Sequence, residues 1–143
     1  MKHVETTIEA DDATVVVTAG SIIKQKVVQF TRDLSLATGT QIITGIGFKP
    51  RMILFQNIIF GGSSWMATGM CSSPQNQFCL EIGIEAIKQV YIESTNCGIQ
   101  RAPNSPNFSI MVLASFDPDG FTLIWEKINS PVGIGSIIAI CFR

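Results

Sequence analysis

Residues 115–126 read SFDPDGFTLIWE, and the acidic centre of this stretch fits two different folds. With Ser115 at position 1, Asp117, Asp119, Gly120 and Glu126 fall at positions 3, 5, 6 and 12 of an EF-hand calcium loop. Such a loop lies between two helices. Here the flanks are FSIMVLA and FTLIWEK, in which Phe121, Leu123 and Trp125 alternate with Thr122, Ile124 and Glu126 as strand residues do. The usual Asp is missing from position 1, and Pro118 restricts the loop. Asp117-Pro118-Asp119-Gly120 therefore reads as a hairpin turn: Asp bonds the following backbone, Pro presets the first central position, and Gly supplies positive φ. Neither a metal nor a cofactor is expected.

The same rhythm continues outward. Short apolar segments are broken by TAGS, GFKP, FGGSS, SSPQNQ, TNCG, APNSPN, DPDG and NSPVGIG, which predicts an all-β chain. The expected strands are 14–18, 22–30, 41–44, 52–60, 64–70, 78–84, 90–93, 108–116, 121–127 and 137–142. The best helical competitor is EIGIEAIKQVYIE, where Ile84, Ile87 and Tyr91 share a helix face. Gly83 and the β-branched residues favour two strands joined around Glu85 and Ala86 instead.

Several strands are apolar on both faces. In 108–116, Phe108, Ile110, Val112, Ala114 and Phe116 form one face, and Met111 and Leu113 the other. One face is expected to pack on a second sheet. The other, with Met111 and Leu113 as its contact residues, is expected to meet a neighbouring subunit or to lie under the N-terminal segment.

Composition bounds the function. The 143 residues suffice for one domain with a sizeable core. A net charge of −1, with basic residues scattered along the chain from Lys2 to Arg143, disfavours nucleic acid as a partner. Only 15% of residues are charged, against about 25% in an ordinary soluble domain, so either the core is large or surface is hidden in an oligomer. No apolar run reaches the roughly 20 residues of a membrane helix, and MKHVETTIEADD is polar and acidic where a signal peptide is apolar. The expectation is no membrane insertion and folding in a cytosol. Cys71, Cys79, Cys97 and Cys141 lack CxxC spacing and read as buried, reduced thiols.

Catalytic patterns are thin. His3 is the sole histidine, leaving Ser-His or Cys-His chemistry without a positioned base. FGGSSW lacks the Lys of a P-loop. Trp125 reads as core; Trp65, beside its glycine turn, fits either core or a stacking platform for a sugar, with Tyr91 and the loop at Asn104 nearby candidates. No catalytic residue is expected.

The ordered series GTQIITGIGFKPRMILF (39–55), SSWMATGM with QNQFCL, and SFDPDGFTLIWEKINSPVG (115–133) resembles a small β-sandwich domain of tailed-bacteriophage virion structural proteins. The resemblance covers roughly residues 38–143. It implies an antiparallel, jelly-roll-like sandwich at 38–143. Residues 1–37 fall outside the resemblance; their β-rich runs TVVVT and IIKQKVVQF either add strands to the sandwich or form an N-terminal extension or arm. The resemblance also implies a non-enzymatic role in the virion after synthesis in the host bacterial cytoplasm, as a homo-oligomer, with a trimer expected. Head decoration or cement on the major capsid protein comes first and a tail or tail-fibre component second. An adhesin binding a host-surface glycan through Trp65, Tyr91 and the polar loops, that at Asn104 among them, is the rival class.

Overall fold

Where Ile, Val, Phe and Thr concentrate, the chain forms strands, as expected for side chains that suit a pleated, half-buried surface. The structure, a computed structural model, describes residues 5–10, 13–18, 24–60, 65–83, 89–101 and 106–143. Its strands are β1 (Glu5–Ala10), β2 (Ala13–Thr18), β3 (Gln25–Asp33), β4 (Gly39–Ile43), β5 (Met52–Phe60), β6 (Trp65–Ser73), β7 (Asn76–Gly83), β8 (Gln89–Glu93), β9 (Gly98–Arg101), β10 (Phe108–Asp117), β11 (Gly120–Ile128) and β12 (Ile134–Phe142). EIGIEAIKQVYIE contributes to two of them, β7 and β8, as its Gly83 suggested.

Two antiparallel sheets make the sandwich: β3-β12-β5-β6-β7-β8 and β4-β11-β10-β9. The chain ends pair in nested fashion, β3 with β12 in the larger sheet and β4 with β11 in the smaller, which is the jelly-roll-like element. Inside that nest, β5 to β8 and β9 to β11 run as meanders of hairpins. β1 and β2 pair only with each other, as a separate two-stranded ribbon.

A boundary at residue 37 therefore cuts through the sandwich. β3 pairs with β12 over nine positions, from Gln25 opposite Phe142 to Asp33 opposite Ile134. The segment outside both sheets is the ribbon at 5–18, and residues 25–33 are part of the domain.

The core between the sheets includes Ile53, Phe55, Cys71, Met111, Leu113, Phe121, Leu123, Trp125, Ile137, Ala139 and Cys141. Phe121 stands edge-on to both Phe55 and Phe30, at 5.8 and 6.2 Å. Trp125 is buried as expected, and its Nε1–H donates to Gln41 Oε1 at 2.8 Å, so its one polar atom is satisfied.

The faces of β10 are the reverse of the expectation. Met111 and Leu113 point into the core and are not a contact surface, while Ile110 and Val112 lie on the outer side, half-buried. Phe116 leaves that outer set because the β10–β11 register shifts between Leu113 and Ser115. This one-residue bulge inverts the alternation and returns Phe116 to the core side, a local change that a period of two does not reveal. β9 reaches β10 only as far as Gly98 opposite Met111. Beyond it the Leu113 N–H, with no strand neighbour, donates across to Gln77 Oε1 on β7 at 2.9 Å.

Candidate functional site

The turn at 117–120 is a hairpin turn, with Asp117 opposite Gly120. Its acids are engaged within the protein. Asp117 accepts from Ser115 Oγ and Thr122 Oγ1, each at 2.7 Å. Asp119 accepts from the N–H of Gly45 at 3.0 Å and of Gly47 at 2.6 Å, and its carbonyl accepts from Ile46 N–H at 3.2 Å. Gly45 and Gly47 have φ of +81° and +83°, a backbone state open to glycine that turns both N–H groups toward one carboxylate. TGIGF and DPDG are thus two halves of one clamp. Gly120 is needed for a different reason from the one expected: its φ is not positive, and a Cβ there would overlap the Ile43 carbonyl oxygen.

Trp65 is half-buried at the start of β6, with its ring laid over Gly83, where an added Cβ would stand 2.5 Å from the ring. The Arg101 guanidinium sits 5.2 Å from the Trp65 ring centroid and 4.6 Å from that of Phe108. It also forms a two-pronged pair with Glu81, Nε to Oε1 and Nη2 to Oε2, both at 2.9 Å. Glu81 is 1% exposed and belongs to the larger sheet, whereas Arg101 belongs to the smaller. The pair ties the sheets together. Trp65 thereby acts as packing for a cation. Asn104 and His3 lie outside the described residues, as does the side chain of Tyr91.

All four cysteines are buried and free. Burial, with Glu81 and Glu93 adding to it, pushes the Cys79 thiol up to about 12; burial, with Cys71 beside it, does the same for Cys141. Cys97 is raised well above the ordinary value by burial and by its contact with Cys71. Cys79, Cys97 and Cys141 are thus protonated packing groups with little thiolate character.

The surface that stands out is the outer face of the six-stranded sheet. The register aligns Val27, Ile140, Leu54, Met70 and Phe78 in one row across five strands. The next row runs Gln29, Ile138, Gln56, Thr68, Leu80 and Ile92 across all six. Val27, Leu54, Ile58, Met66, Phe78, Ile92, Ile134 and Ile138 are each 36–75% exposed, and they are most of the exposed large apolar residues among those described. Together they present on the order of 700 Å² of apolar surface, above the roughly 300–600 Å² of the largest patch on an ordinary monomer. On these outward positions the one charged side chain is Asp33, at a corner. A shallow depression of about 160 Å³, lined by Leu54, Gln56, Thr68, Ile138 and Ile140, lies near the middle, where short Thr68 stands among longer neighbours.

No protein-family profile, curated protein or solved structure matches this chain.

Proposed function

We propose that this chain is a non-enzymatic structural protein of a tailed-bacteriophage virion, in the first place a head decoration or cement protein, with a tail or fibre component as the alternative. The observation that carries the assembly role is the apolar outer face of the six-stranded sheet, charged only at the Asp33 corner. Its exposed area is close to the roughly 800 Å² per partner that a standard stable interface buries. A face with so little charge favours permanent contact with another protein surface over exchange of soluble substrates. The virion itself is supported by the ordered motifs at 39–55 and 115–133, whose TGIGF and DPDG parts meet in the Asp119 clamp.

Immunogold counting on intact purified particles tests the reading. Hundreds of copies spread over the shell are expected for decoration, and a few at the tail tip would assign the chain to tail or fibre. Absence from purified particles would refute the virion role altogether.

A further inference from the structure

Basic residues that are scattered in sequence are gathered by the fold. Lys49, Arg51 and Arg143 line a cavity of about 600 Å³ at one end of the sandwich, with Pro50, Ser72 and Phe116 completing its wall. Lys24 and Lys26 belong to the same end. Arg143 donates its backbone N–H to Lys24 O at 3.0 Å, and Lys26 pairs with Cys141 across the β3–β12 ladder. The other described cations are all engaged: Arg32 with Trp125 and Ala37 O, Arg101 with Glu81, and Lys127 with Ser35 O. None of the five at this end has a carboxylate within 4.0 Å among the described residues. Asp117 and Asp119, in the turn that follows Phe116, already accept hydrogen bonds from their own neighbours. Among the described residues, this end of a protein of net charge −1 thus gathers five cationic side chains with no carboxylate paired to them.

The complementary charge lies in the same chain. Residues 4–23 include Glu5, Glu9, Asp11 and Asp12 and contain no Lys or Arg. Within that segment β1 and β2 pair with each other and with neither sheet, and a lone two-stranded hairpin is marginal in water. We propose that the acidic hairpin of one copy docks its Glu9–Asp12 end in the cationic mouth of a second copy.

Reach decides between a neighbour and the chain's own mouth. A six-residue strand is about 20 Å long, and the chain from Thr18 to Lys24 spans at most about 20 Å when fully drawn out. A chain's own hairpin therefore returns its acidic end to the mouth only with residues 19–23 pulled straight alongside the ribbon. A neighbour's hairpin meets no such limit. The inference names the partner for the assembly role proposed above and rests on it, but its test uses purified protein without particles, so either can fail alone.

Two full-length charge-reversed variants provide the test: E9K/D11K in the hairpin and K49E/R51E in the mouth. Sedimentation velocity at micromolar protein and low salt reads the association, and circular dichroism checks the fold. Each variant alone should associate about tenfold more weakly than the parent. An equimolar mixture should recover the association, because each reversed element then finds its opposite on the other variant. Variants that each associate as the parent does, or a mixture of two folded variants that fails to recover, would overturn the proposal. A salt-sensitive contact that is independent of concentration would show the hairpin held by its own mouth and overturn the assignment to a second copy.

Discussion

Replacing Gly120 with Ala should be among the costliest single-methyl additions in this protein. A Cβ there would overlap the Ile43 carbonyl oxygen and stand 2.9 Å from its carbon. Both obstacles are backbone, so no side chain can swing away. The Ile43–Thr44 segment would have to retreat by roughly 1 Å to restore ordinary contact, at an overpacking cost of about 1–3 kcal/mol. The retreat also pulls Gly45 and Gly47 from Asp119, and the loss of one or two of those hydrogen bonds adds about 1 kcal/mol. The total of about 3 kcal/mol corresponds to a fall in Tm of roughly 10 °C for a chain of this size. Gly45→Ala is the control: φ there is +81° and nothing lies within 4 Å, so its cost is conformational alone, about 1 kcal/mol. Thermal melts followed by far-UV circular dichroism would compare the two, with and without millimolar calcium or excess chelator. Calcium should shift neither, since both carboxylates are engaged within the protein. A Gly120→Ala melt within 2 °C of the parent, or no worse than Gly45→Ala, would refute the close-approach reasoning; several degrees of stabilisation by calcium would restore the metal reading.

Placing a charge on the outer sheet face, as in Ile138→Lys with Phe78→Lys, should leave the melt nearly unchanged and weaken binding to undecorated capsids; binding equal to the parent's would show that this face is not the contact. Arg101→Met should cost about 3–5 kcal/mol in urea titrations, because it strands the Glu81 carboxylate, 1% exposed, between the sheets, and a loss below 1 kcal/mol would count against that. The thiols set an alkaline limit. Cys79, Cys97 and Cys141 hold their protons in the folded state above the ordinary pKa of 9.0, so they contribute no pH dependence below about pH 8. Stability should then fall as pH rises from about 9 toward 12 while the unfolded chain ionises first, by up to about 1.4 kcal/mol per pH unit and thiol. C79A/C141A should flatten that slope, and an equal slope in parent and variant would exclude these two thiols as its source. A chain starting at Lys24 should melt cooperatively, whereas one starting at Thr38 lacks β3, bares the β12 edge and should aggregate; a soluble, cooperative 38–143 chain would mean that β3 is dispensable.

Much of the sandwich was legible because turn residues and apolar runs alternate so regularly. The 52–60 strand has the expected limits, and DPDG formed the hairpin its composition demanded. Two strands escaped the pattern, each for a physical reason. β9 is four residues long and contains Gly98 and Gln100, which give no apolar alternation. β1 is polar, ETTIEA, and pairs only within its ribbon. The β10 faces are not legible, because the bulge after Leu113 leaves no trace in a strand that is apolar at both parities. The outer face of the larger sheet had a signal that single strands concealed. Ile134, Ile138 and Ile140 on β12 alternate with core residues that are equally apolar, so only the pairing register shows which set is outside. Cations from residues 24, 26, 49, 51 and 143 come together only through the β3–β12 and β5–β12 ladders, and no one-dimensional reading places them side by side.

The nine-position ladder between β3 and β12 has a mechanical consequence. The chain enters the sandwich at Lys24, directly before β3, so any tension on the N-terminal hairpin is delivered to the end of that strand. β3 runs antiparallel to β12, and a pull along its axis loads the rungs from Gln25 to Asp33 in shear, all at once. The same pull across the strand would open them singly, from Gln25 inward. A tether leaving along β3 would hold under load, and one leaving sideways would peel. The direction in which residues 19–23 depart therefore sets how much force a copy anchored by its hairpin withstands.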